Sequence, residues 1–288
     1  MLAVALAACG NSSDDSMPGM NHGAKASASP TAPSAPAGGG HDMDAMKDMA
    51  SDDGLAVQKD GYRLSTTSPA LPVGKAADYR FTITGPDGKP VTRFSVEQTK
   101  RLHFYAIRSD LTGFQHVHPT MAADGTWSAP LAALKSGTWR MYASFTPAGG
   151  PGKGEDFVLS TAATVPGTAS DTALPKASDT ATVDGYTVTV SGRPMAGMAH
   201  PLTVTIAKDG KPVSDLQPYL DTYAHLTAFH ADDQALAHLH PETEVSGSQG
   251  GPSLSFHAEL SKPGDWRLFL QFQTAGTLHT AALTLNVG

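Results

Sequence analysis

The chain has 288 residues, 40% of them hydrophobic, with 29 Gly, 21 Pro, a single Cys and a net charge of −7. That length accommodates two cores of roughly 100 to 150 residues each, and the Gly and Pro content, lacking the period of three that collagen needs, favours turn-rich β architecture over a helical bundle. Eight Asp against three Lys give the first 60 residues −5 and leave the rest near neutral, which excludes a basic nucleic-acid footprint. One Cys likewise excludes an intrachain disulfide framework, a Cys-rich zinc module and an iron–sulfur cluster.

First along the chain comes Leu6-Ala7-Ala8-Cys9-Gly10, after an apolar start. The string resembles the lipobox of bacterial lipoproteins. That resemblance implies cleavage before Cys9, acylation of its thiol and attachment to the extracytoplasmic face of the cell membrane through lipid. Met1 to Ala8 is shorter than a signal h-region and has no positive n-region, so a true start upstream is expected. Residues 1–9 are thus read as a truncated signal segment and residues 10–60 as a disordered tether, rich in Ser, Ala, Pro, Gly and Asp with almost nothing to bury. Yet the tether holds Met17, Met20 and His22 in MPGMNHG, then His41, Met43, Met46 and Met49 in HDMDAMKDM. Thioether and imidazole together suit Cu(I), because soft sulfur donors select the soft ion.

Beyond the tether the sequence repeats itself. Gly61-Tyr62-Arg63-Leu64 is answered by Gly185-Tyr186-Thr187-Val188, and the alternating run Tyr79 to Thr84 by Leu202 to Ile206. Each run closes on the same turn, Asp87-Gly88-Lys89-Pro90-Val91 or Asp209-Gly210-Lys211-Pro212-Val213, a tight-turn signal between apolar alternations. Gly137-Thr138-Trp139-Arg140 matches Gly264-Asp265-Trp266-Arg267, and both copies finish in an alternating strand, Phe157 to Val165 and His279 to Val287. Short strands at this spacing predict an all-β protein of two tandem Ig-like or cupredoxin-like β-sandwiches, about seven strands each, over residues 61–166 and 185–288 with a linker at 167–184.

At the centre of each copy lies the same histidine pattern, H-x12-H-x-H-P. His103, His116 and His118 align with His225, His238 and His240. Turn-formers sit midway in each, at Asp110-Leu111 and Asp232-Asp233, so the flanking strands should pair as an antiparallel hairpin with His103 opposite His118 and His225 opposite His240. Period-two alternation then puts three imidazoles on one side, with Leu102, Phe104 and Val117, or Ala224, Leu226 and Leu239, on the core side. Cross-strand Cβ separations of about 5 Å, and about 7 to 8 Å on the diagonal, let imidazoles share one ion, and histidine suits copper, zinc or nickel. The second copy adds Met195, Met198 and His200 in MAGMAH, repeating the thioether–imidazole chemistry, and has His230 where the first has Arg108. His257 and His279 read as ordinary half-exposed strand residues.

The chain resembles actinobacterial secreted lipoproteins with tandem domains carrying an H-x-H-P motif followed by Asp-Gly-Thr-Trp, here His116 to Pro119 and Asp124 to Trp127. More loosely it is similar to Ig-like and cupredoxin-like sandwiches of envelope copper handling, which implies copper sequestration or delivery by a lipid-anchored protein. A second class stays open: an Ig-like interaction or adhesion module that binds another envelope protein and uses its histidines structurally. A third, a metal-dependent enzyme, would draw on Asp110, Asp232, Asp233 and Glu242 near the motif. A blue-copper electron-transfer site needs a Cys thiolate beside the histidines, and Cys9 lies in the tether.

Overall fold

A computed structural model describes residues 53–68 and 70–288, with the side chains of His238 and His240 outside the description. Cys9, Met17, Met20, His22, His41, Met43, Met46 and Met49 lie outside the described residues. Every regular element described is a strand or bridge. In chain order the first copy contains β1 (Gln58–Lys59), β2 (Tyr62–Thr66), β3 (Ala77–Thr84), β4 (His103–Arg108), β5 (Gln115–Val117), β6 (Thr120–Met121), β7 (Thr126–Leu131), β8 (Gly137–Phe145) and β9 (Phe157–Val165). The second contains β10 (Thr180–Val183), β11 (Tyr186–Ser191), β12 (Ala199–Lys208), β13 (Lys211–Pro212), β14 (Ala224–His230), β15 (Leu236–Pro241), β16 (Ser253–Glu259), β17 (Gly264–Thr274) and β18 (Thr277–Val287).

In the first sandwich the sheets run β1-β2-β3-β7-β6 and β5-β4-β8-β9. The second has the same order, but its two sheets are continuous: β15 pairs with β14 through residues 236–239 and then with β16 through His240 and Pro241. In the first copy that crossing strand is broken into β5 and β6 around His118-Pro119.

Each copy is nine strands rather than about seven, and one of the extra strands lies in the stretch read as a linker. β10 pairs with β11 across a two-residue turn at Asp184-Gly185, and β1 pairs with β2 across Asp60-Gly61. Both turns have positive φ at both positions, 47° and 80° in the first copy and 48° and 81° in the second. This is the hairpin geometry that Asp-Gly favours. The Asp-Gly pairs stood in the sequence, but the strands before them are short and polar and were read as tether and linker.

Alternation fills each core as expected. Tyr79, Phe81, Phe104, Trp127 and Trp139 are buried in the first sandwich and Phe256, Trp266, Leu268 and Phe272 in the second. Trp139 and Trp266 each donate the indole N–H to the carbonyl four residues upstream, of Lys135 and Lys262, at 2.9 Å. His279 is buried rather than half exposed, between Asp184 (2.7 Å) and the Thr274 hydroxyl (3.0 Å).

The two copies pack against one another. All residues of β4 and β14 are buried, although alternation sends only every second one into its own core. The remaining face of β4 (Tyr105, Ile107), with Leu111 and Tyr142, meets Phe229, Leu236 and Phe269 in a third apolar cluster. Phe114 stacks on Phe269 with centroids 4.3 Å apart. Tyr142 donates its hydroxyl hydrogen to the Gln234 carbonyl, and Gln234 Nε2 donates to the Arg108 carbonyl at 3.2 Å. Arg108 also ties down the connection that leads to the second copy, through the Ser170 carbonyl (2.6 Å) and the Asp171 carboxylate (2.9 Å).

Candidate metal centre

The β4–β5 hairpin has the register expected from its midpoint: Phe104 pairs with Val117 and Tyr105 with His116, which sets His103 opposite His118. Asp110 holds the turn by accepting from the Thr112 amide (3.1 Å) and hydroxyl (2.7 Å). The β14–β15 hairpin has the equivalent register, Leu226 to Leu239 and Thr227 to His238. There Asp233 accepts from the Ala235 amide at 3.0 Å.

Among the described residues, His103, His116 and His118 form a group whose ligating atoms all lie within 4.8 Å of one another. Ring centroids are 5.3 Å apart for His103–His116, 5.0 Å for His103–His118 and 4.8 Å for His116–His118. Tyr105 stacks on His116 at 4.5 Å, forming an apolar wall.

In two of the three rings, hydrogen bonds indicate which nitrogen carries the proton. His103 Nε2 lies 3.1 Å from the Glu97 carbonyl oxygen, which can only accept, so the ring donates there and Nδ1 bears the lone pair. His116 Nδ1 lies 2.8 Å from Gln271 Oε1, again an acceptor, so its lone pair sits on Nε2. His103 Nδ1 and His116 Nε2 lie 3.0 Å apart. The Nε2 atom of His118 is buried with no hydrogen-bond partner among the described residues.

The surroundings oppose an imidazolium charge in the cluster. Burial lowers the His103 pKa against the opposing Glu97 hydrogen bond, with Lys100 lowering it further. Burial, then His103 and His118, holds His116 well below the usual histidine value. Burial, then His103 and Lys100, lowers His118 to about 3. Neutral imidazoles with converging lone pairs are the form that ligates Cu, Zn or Ni. A cleft of about 270 Å³ bounded in part by Lys100, Pro119 and Trp127 reaches His118.

The Glu97 carbonyl belongs to a tight turn, Glu97-Gln98-Thr99-Lys100, with Gln98 at φ 46° and Thr99 at φ 68°. The second copy repeats it at Tyr219-Leu220-Asp221-Thr222, with φ of 55° and 59° at the central residues. There the Tyr219 carbonyl accepts from His225 Nε2 at 3.0 Å. Successive left-handed non-glycine residues carry no Gly or Asn signal, so the sequence reading missed both turns. It also missed Gln271, which reaches His116 from the other sandwich.

His225 lies beside the first copy's centre, 6.0 Å from His116 by ring centroid. Met195 and Met198 sit half exposed in the turn before β12, and His200 on β12 pairs in register with Ala258 of β16. His230 is held by Asp233 (2.9 Å) and the Pro263 carbonyl (3.1 Å) against Trp266. Of the carboxylates named for an enzyme, Asp110 holds Thr112, Thr172 and Arg108, and Asp233 holds Lys262, His230 and Ala235.

The internal repeat corresponds to a known family, matched twice, over residues 56–162 and 181–288. The chain belongs to the family described as Domain of unknown function (DUF8832). Both family segments begin near their Asp-Gly hairpins and contain one histidine motif each. No curated protein matches the chain. Solved structures similar to it include the Escherichia coli adhesin FdeC, at 16% identity and TM-score 0.24, covering 81% of this chain and 66% of that one. The Ig1-2 module of the Drosophila receptor tyrosine phosphatase DLAR matches at 9% identity and TM-score 0.22, covering 79% and 98%. Invasin, a bacterial integrin-binding protein, matches at 12% identity and TM-score 0.23, covering 78% and 39%. Likeness at this level carries no argument about function.

Proposed function

We propose that this member of the family is an extracytoplasmic metal-binding protein that holds a copper or zinc ion on His103, His116 and His118. The observation that supports the reading is the convergence of the His103, His116 and His118 ligating atoms within 4.8 Å of one another, with His103 Nδ1 and His116 Nε2 3.0 Å apart. Copper is preferred over zinc because Met17, Met20, His22, His41, Met43, Met46 and Met49 supply soft donors in the segment before the domains. Met195, Met198 and His200 offer a further thioether–imidazole set. The Leu-Ala-Ala-Cys string supports lipid attachment at Cys9, which would confine the metal chemistry to the outer face of a membrane and fit sequestration or delivery.

The test is thermal unfolding of the chain from residue 53 onward with and without Cu(II) or Zn(II). An ion that binds only the folded state adds RT ln(1 + [L]/Kd), about 2.7 kcal/mol at a hundredfold excess over Kd, which for a unit of this size raises Tm by roughly 5 to 10 °C. His118→Ala should abolish the shift. Equal Tm values with and without metal would remove the reading. The second reading, an Ig-like envelope interaction module with structural histidines and a protein partner, would then take its place, since two Ig-like sandwiches in tandem support it.

A further inference from the structure

We infer that the two copies build one ion site between them, with His225 of the second sandwich supplying a fourth imidazole to His103, His116 and His118. This rests on the metal reading above and departs from the simpler expectation of one independent site per copy. Four observations carry it.

His225 is 1% exposed, and its Nε2 donates to the Tyr219 carbonyl, so Nδ1 bears the lone pair. That Nδ1 is buried and has no hydrogen-bond partner among the described residues. A buried polar atom left unpaired costs about 1–3 kcal/mol, so its retention needs a reason. Second, the His225 ring stands 6.0 Å from that of His116, inclined at 67°.

Third, the second copy already helps to build the first copy's centre. Gln271 of β17, 5% exposed and opposite His225 in the β14–β17 register, accepts the His116 Nδ1 proton and so turns the His116 lone pair inward. Fourth, His103 and His225 are oriented by the same device: each donates to a carbonyl six residues upstream, in a turn whose two central residues are both left-handed. Left-handed non-glycine residues cost about 1–2 kcal/mol each. Both copies keep that cost. Electrostatics agrees with a single neighbourhood: after burial and the opposing Tyr219 bond, His103 lowers the His225 pKa further, to about 4. Three rings leave one position of a tetrahedral nitrogen set unfilled, and closed zinc sites have four protein ligands.

The experiment uses the chain from residue 53 onward loaded with Zn(II), and with Co(II) as a spectroscopic stand-in. Metal is counted by elemental analysis after dialysis, imidazoles by X-ray absorption of the zinc form, and affinity by competition with a chromophoric chelator. The inference expects one ion per chain with four imidazole nitrogens. His225→Ala should still bind one ion, but at least tenfold more weakly, and its Co(II) absorption should fall as water replaces the lost ring. Gln271→Ala should weaken binding by about 10- to 100-fold, as loss of a ligand-orienting partner does, and Gln271→Glu should restore it. Two ions per chain, a three-imidazole zinc spectrum, or wild-type affinity and spectrum in His225→Ala would each overturn the shared site while leaving the metal reading standing. Absence of any bound ion in the wild-type chain would overturn both. The wild-type imidazole count keeps the test decisive should His225→Ala not fold.

Discussion

Each imidazole of the centre has an outer nitrogen engaged by an acceptor or an inner nitrogen held away from water, and both conditions keep the rings neutral. The consequence reaches beyond metal. Burial lowers His118 to about 3, helped by the neighbouring His103, and lowers His225 to about 4. Between the ordinary value of about 6.5 and these folded-state values, the unfolded chain binds protons that the folded chain refuses. Stability of the metal-free protein should therefore fall as pH is lowered through 6.5 toward 3. Asp233 acts in a different window. Burial would raise its pKa, but Lys262, the Ala235 amide and His230 hold it down to about 2, so its contribution is lost only below the usual carboxylate range. Urea midpoints at pH 7.5, 5.5 and 4.5 check this: a flat profile over that range would show that the histidines are not buried neutral.

At the scale of elements, the turns carry the positioning. Gln98 and Thr99 both occupy the left-handed region, where Asn-Gly is the favoured pair. Replacing them by Asn and Gly together should stabilise the protein by about 1 kcal/mol, because the strain is relieved while the Glu97 carbonyl stays in place. Metal affinity should stay unchanged, since His103 keeps its acceptor. A rise in the urea midpoint with an unchanged Kd is the expected pair of readings. The β4–β5 register was legible because Asp110 and Leu111 mark the midpoint of a pattern whose two ends are histidines. By contrast, the turn over His103 was not legible: nothing in Glu97-Gln98-Thr99-Lys100 marks a turn, and it is imposed by the bridge between Glu97 and Lys100.

For the whole molecule, the apolar cluster of Tyr105, Ile107, Leu111 and Tyr142 against Phe229, Leu236 and Phe269 makes one cooperative body of two sandwiches. Calorimetry should give a single unfolding transition. Phe229→Ala deletes a fully buried ring from that cluster and should cost about 3–5 kcal/mol. It should also weaken Zn(II) binding, because the same junction sets Gln271 and His225 against His116. Two resolved transitions in the wild-type chain would contradict this coupling.

From the sequence alone came the all-β class, the tandem repeat, the hairpin register and the grouping of His103, His116 and His118, because period-two alternation and turn residues are local properties that one strand pair settles. Tyr105, Ile107 and Phe229, apolar on faces that alternation sends away from their own cores, were a sign that those faces are covered, but not of what covers them. Only the tertiary structure decided that the cover is the other copy, that Gln271 orients His116, and that the His225 ring lies 6.0 Å from that of His116. Contacts between residues more than a hundred positions apart depend on how two finished sandwiches dock. No local period encodes that docking.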